Sequence, residues 1–188
     1  LLLLRKRIQK HPAKSLVEKL NQRDNFLAQL SFKLTSAQLK VSAEISHDMS
    51  KPTPMLRLLQ GDVGSGKTIV SALAALQAIA NGEQAALMAP TELLSEQHRL
   101  NFENWFQPFG IKIAWLTGKL KGKARNYQLE SIADGSAKMI IGTHALFQEK
   151  VNFYSLGLSI IDEQHRFGVD QRLALRKKGV TFDNSREA

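Results

Sequence analysis

Residues 61 to 68 read Gly-Asp-Val-Gly-Ser-Gly-Lys-Thr, a run that satisfies G-x-x-x-x-G-K-[ST]. Each residue type has a task at that spacing. Gly61, Gly64 and Gly66 let the backbone curl so that the N–H groups of the loop, Asp62, Val63 and Ser65 included, turn inward onto phosphate oxygens. A helix starting at Lys67 adds its positive N-terminal end, Lys67 reaches the β and γ phosphates, and Thr68 offers a hydroxyl to Mg²⁺. The plain alternative is a glycine turn with an incidental lysine. A second cluster follows about a hundred residues later, where the apolar run Leu156–Ile161 leads into Asp162, Glu163, Gln164 and His165. A carboxylate at the end of a buried strand can hold Mg²⁺ through its water shell, and its neighbour can polarise the water that attacks a γ-phosphate. Asp162 takes the metal role and Glu163 the water role, while Gln164 and His165 are placed to relay the nucleotide state to a second site. An Asp-Glu pair by itself is more often a solvated turn, and it is the phosphate loop in the same chain that favours chemistry.

These residues need elements to position them. From Met55 onward, short apolar runs alternate with helical segments. Met55–Gln60, Gln84–Ala89, Ile111–Leu116, Lys138–Ile141 and Leu156–Ile161 read as strands, and Lys67–Ala80, Glu92–Phe106 and Gly122–Ala133 as helices. Such alternation predicts an α/β domain with a mostly parallel central sheet, whose strands end along one edge where ligands bind. The phosphate loop then sits between a strand and a helix, the context its chemistry requires. Ile69–Ala80 is apolar nearly all round, which predicts burial. Upstream, Ser15-Leu-Val-Glu18 reads as a capping box opening an amphipathic helix, and a second helix runs from about Thr35 to His47. The prolines of Asp48–Pro54 break the pattern, so N-terminal helices occupy residues 1–51 and the core residues 52–188. Trp105, Trp115 and the phenylalanines of residues 92–109 are expected in the core.

The chain has 188 residues, 43% of them hydrophobic and 23% charged, as in a globular domain that buries its own core. It contains no cysteine, which removes disulfides, thiolate metal sites and thiol nucleophiles and permits an intracellular, reducing, cytoplasmic home. Leu1–Leu4 precede Arg5, Lys6 and Arg7, the reverse of a secretory signal and too short for a membrane span. An abrupt start without Met leads us to expect a piece of a longer protein. The net charge is +9, which favours polyanionic partners, and residues 1–51 hold ten basic side chains against four acidic ones. A solvated helical face explains that excess equally well.

Taken in order, Gly61–Thr68, Pro90–Leu94, Gly142–Leu146 and Asp162–His165 resemble motifs I, Ia, Ib and II of superfamily 2 helicases and translocases. The extended strings are most similar to the bacterial helicases that remodel branched DNA. The resemblance implies a RecA-like P-loop NTPase fold and an ATP- and Mg²⁺-dependent motor of two such domains, of which this chain holds the first. It implies a wedge domain and a second motor domain elsewhere in the full-length chain, the latter supplying an arginine finger, so that the isolated chain hydrolyses ATP poorly. Branched or forked DNA is the implied partner, with no membrane involved. Phe32-x-x-Thr35-x-x-Gln38 resembles the Q motif, in which the glutamine reads adenine, although Thr35-x-x-Gln38 is also a capping box. The DNA-tracking motifs carry over to Thr91, Glu92, Gly142, Thr143 and His144, with Thr117, Gly118 and Arg125 as a second track beside Lys119, Lys121 and Lys123. Thr91 reads equally as a helix N-cap. Phe167 is the candidate exposed aromatic. Two alternatives are a transcription-repair coupling translocase, which should carry glutamate at position 164, and a stand-alone nucleotide switch. The Leu-Ser-Gly-Gly-Gln signature of ABC transporters is absent.

Overall fold

The computed structural model of the chain describes residues 12–62, 64–148 and 150–163. These fall into two compact units, one ending at Asn81 and the other beginning at Gly82. The first is helical, with α1 over Leu20–Gln29, α2 over Ser36–Met49 and α3 over Lys67–Ala80. As its composition requires, α3 is buried along most of its length, and both α1 and α2 pack against it. Its buried Gln77 satisfies its amide by donating to the carbonyls of Leu16 (2.6 Å) and Ser46 (3.2 Å), so that burial leaves no orphaned donor.

Two expectations fail in this unit. Ser15 and Glu18 form no capping box: α1 begins at Leu20, its N-cap Lys19 makes no side-chain cap, and the Ser15 hydroxyl donates to the Ser50 carbonyl. The backbone ahead of α1 finds its partners in distant segments instead. Ala13 N–H donates to Pro52 O and Leu16 N–H to Met49 O, while Asn81 holds both backbone groups of Val17. Those tertiary bonds satisfy donors that a helical turn would otherwise have used. Met55–Gln60 is likewise not a strand, because an apolar run becomes one only where a neighbour takes its backbone groups, and this segment enters no ladder. Leu58 is 63% exposed, and Arg57 turns to α2, with Nη1 2.7 Å from Glu44 and Nη2 2.8 Å from Asp48. A hydrogen bond from Lys51, reinforced by Arg57, holds the Asp48 carboxyl below the usual carboxylate range.

The second unit is a parallel sheet of β1 (Gln84–Met88), β2 (Ile113–Leu116), β3 (Met139–Gly142) and β4 (Leu156–Ile161), in the order β2-β3-β1-β4. Its helices are α4 (Glu92–Phe106) and α5 (Gly122–Ala133), with short 3₁₀ turns at Gln107–Phe109 and His144–Phe147. The central strands β1 and β3 are buried throughout and read as continuous apolar runs, whereas β2 at one edge alternates. One face of the sheet, through Ala86, Met88, Ala114, Leu116 and Ile140, packs with Ile132 of α5. On β2, Trp115 alternates with Ala114 and Leu116, and its indole N–H donates to Ser95 of α4 at 3.0 Å. Helices therefore cover both faces. Phe102 and Phe106 of α4 are fully buried and meet edge to face at 5.3 Å, as expected for core aromatics, whereas Trp105, Phe109 and Trp115 are only half-buried. No helix among the described residues is long and apolar enough to cross a membrane.

Candidate functional site

In the first unit, the phosphate loop is shaped by two glycines in the left-handed region, Gly64 at φ 83° and Gly66 at φ 78°. Gly66 is also the N-cap of α3, so the loop passes directly into a helix N-terminus. The Lys67 ammonium folds back over the loop and donates to the carbonyls of Gly61 (2.7 Å) and Asp62 (2.9 Å). Gln38 forms the capping box that Thr35-x-x-Gln38 predicts. Its Oε1 accepts from Thr35 N–H at 2.8 Å to complete the capping box of α2, and its Nε2 donates to Ser65 O of the loop at 2.9 Å. A side chain at Gly66 would collide with that amide. Phe32, in the connection before α2, is 45% exposed. Val63 lies outside the described residues.

In the second unit, the parallel strands bring four sequence-distant segments to one edge, because all their C-terminal ends point the same way. Those ends are tied to one another: Thr143 N–H donates to Leu116 O (3.3 Å), Ala89 N–H to Gly142 O (2.9 Å) and Asp162 N–H to Met88 O (2.9 Å). Close approach at this edge requires Gly142, since a Cβ there would overlap the Leu116 carbonyl oxygen. Gly142→Ala is expected to destabilise the protein by about 1–3 kcal/mol, read as a lower unfolding midpoint, because a backbone atom cannot step aside as a side-chain end can. An unchanged midpoint would contradict that packing.

Around this edge the DNA-track candidates take distinct places. The Thr91 hydroxyl accepts from Leu94 N–H at 3.2 Å, so Thr91 is the N-cap of α4. Glu92 pairs with Lys119 at 2.6 Å, and the hydrogen bond raises the Lys119 ammonium above the ordinary lysine range. Thr117 is buried and its carbonyl accepts from Arg125 (3.3 Å), whose other nitrogen donates to Gln148 at 2.6 Å. Gly118 is exposed beside the His144 ring, and His144 is exposed as well. Thr143 is buried with its hydroxyl unbonded. Lys119, Lys121 and Lys123 are exposed. The arrangement presents lysines, an arginine, a histidine and glycine backbone on one edge, groups able to contact phosphates.

Asp162 directly follows β4, and its Oδ1 accepts from Glu163 N–H at 3.0 Å. Glu163 holds φ 50°, the one described non-glycine residue in the left-handed region, at a cost of about 1–2 kcal/mol. The donor type at Asp162 suits Mg²⁺, because a carboxylate is a hard oxygen ligand. Sequence reasoning missed His98, whose Nε2 lies 2.8 Å from Asp162 Oδ2, since 64 residues separate the two. Gln164, His165 and Phe167 lie outside the described residues.

A family model described as DEAD/DEAH box helicase matches residues 35–182. The chain is 60% identical over 179 residues to an ATP-dependent DNA helicase RecG of Escherichia coli, covering 95% of this chain and 26% of that protein. It is 53% identical over 158 residues to the RecG helicase of Bacillus subtilis, covering 84% and 23%. Among solved structures, RecG bound to a three-way DNA junction superposes with a TM-score of 0.82 at 43% identity, covering 88% of this chain and 23% of that one. The chain thus spans about a quarter of the length of the curated relatives it matches.

Proposed function

Because the chain belongs to the DEAD/DEAH box helicase family, we propose that it is the first motor domain of a RecG-like DNA helicase that couples ATP hydrolysis to the remodelling of branched DNA. One observation carries the reading: the segments after β1, β2, β3 and β4 meet on a single sheet edge, in a chain 60% identical to a RecG helicase. Residues 1–51 serve as linker helices and residues 52–188 as the motor, acting in the cytoplasm with a wedge and a second motor domain of the same full-length chain.

In this reading the loop from Gly61 to Gly66 cradles the phosphates of ATP, and Lys67 exchanges the Gly61 and Asp62 carbonyls for β and γ oxygens. Thr68 and Asp162 would hold Mg²⁺, which supplies charge neutralisation on the phosphates when bound. Glu163 orients and polarises the attacking water. Gln38 reads adenine beside Phe32, and its bond to Ser65 O means that this reading reaches the phosphate loop directly. Thr91, Glu92, Thr117, Gly118, Arg125, Gly142, Thr143 and His144 line the DNA track, and Gln164 and His165 carry the nucleotide state to it.

The test is ATP turnover by the full-length protein with linear and with three-way-junction DNA. Stronger stimulation by the junction is expected, with DNA affinity falling on the order of tenfold or more between about 50 and 200 mM salt, since the track engages phosphates. Turnover indifferent to every DNA, or binding indifferent to salt, would refute the reading.

A further inference from the structure

We propose that His98 is a positioning residue for the Asp162 carboxylate, holding one of its oxygens so that the group is aimed at a hydrated divalent cation. His98 lies on α4 seven residues after the N-cap Thr91, and its Nε2 is 2.8 Å from Asp162 Oδ2. A carboxylate only accepts, so the imidazole presents an Nε2–H donor. The other ring nitrogen, Nδ1, is buried and has no hydrogen-bond partner. Among the described residues, Asp162 is therefore the one polar contact that orients this ring. The side chain of His98 is 12% exposed and that of Asp162 is 27% exposed, so the donor is shielded while the carboxylate keeps an open side.

Three of the contacts that hold the aspartate bear on its orientation. Its backbone N–H donates to Met88 O of β1, its Oδ1 accepts from Glu163 N–H, and its Oδ2 takes the bond from His98. The two side-chain contacts together fix the rotation of the carboxylate plane. Orientation matters because Mg²⁺ gives up its waters reluctantly and is met through them, so a misaimed carboxylate is not corrected by wrapping closer round the ion. Partners one shell out typically change metal affinity by about 10–100-fold. The same bond joins the helix that begins at Thr91 to the acidic pair, making the DNA-track helix part of the support for the metal carboxylate.

This inference rests on the proposed ATPase reading, and the experiment separates the two. In the full-length protein, binding of a fluorescent non-hydrolysable ATP analogue is titrated with Mg²⁺ for His98→Ala, His98→Gln, His98→Asn and Asp162→Asn, alongside thermal unfolding. His98→Ala is expected to raise the half-saturating Mg²⁺ concentration by about tenfold or more, with analogue affinity in the absence of Mg²⁺ unchanged. His98→Gln, whose amide nitrogen reaches about as far as Nε2, restores most of the wild-type dependence, and His98→Asn, whose amide stops near Nδ1, does not. A wild-type Mg²⁺ dependence in His98→Ala, with a shifted one in Asp162→Asn, overturns the inference and leaves the ATPase reading standing. No shift in Asp162→Asn either overturns that reading. Equal shifts in the alanine and glutamine variants, with equal losses of thermal stability, overturn the positioning role in favour of packing alone.

Discussion

Lys67→Ala in the full-length protein is expected to cut ATP turnover by about 10²–10³-fold, the scale of removing one preorganised charge or donor from a developing anionic transition state. Lys67 is the loop's own cation, and among the described residues its ammonium donates to the exposed carbonyls of Gly61 and Asp62. Alanine at this first position of α3 is the best helix former, so the fold is expected to survive. The expected result is a protein with wild-type circular dichroism and lost turnover. Near-normal turnover would place the phosphate cation elsewhere.

Glu163→Gln is expected to lower turnover by a similar factor of about 10²–10³ while leaving ATP affinity close to wild type, a split that Lys67→Ala does not produce. The substitution keeps shape and length and removes the charge proposed to polarise the attacking water. Glu163 sits at φ 50°, and glutamine pays the same backbone cost there as glutamate, so stability should be unchanged. The Glu163 N–H bond to Asp162 Oδ1 is a backbone contact and is retained, which leaves the metal carboxylate oriented. Equilibrium binding of ATP beside single-turnover hydrolysis measures the two halves separately. A glutamine variant that binds and hydrolyses normally would remove Glu163 from the mechanism.

Much of the local structure was legible in the residues. Helices α3, α4 and α5 occupy the predicted spans, and β4 does as well, because apolar period and glycine or proline punctuation act over a few residues. The Thr35–Gln38 capping box was legible for the same reason. At Ser15–Glu18 an equally good local pattern lost to longer-range bonds from Ala13, Leu16 and Val17, and at Met55–Gln60 an apolar run lacked the ladder that makes a strand. Both failures have one cause: a local motif states a preference, and partners distant in sequence can outbid it.

The candidate site divides along the same line. By itself the sequence determined the phosphate loop from Gly61 to Thr68, the acidic pair at the end of an apolar run and the alternation that makes a parallel sheet, since these depend on residue types at short spacing. Only the tertiary structure decided that β1 lies between β3 and β4, and hence that Asp162 is bonded to Met88 and faces His98. It also decided that Gln38 spends its amide on Ser65 as well as on its own helix cap. Strand order and side-chain partners across 27 or 64 residues follow from which buried faces fit together, and no short window of sequence contains both halves of such a fit.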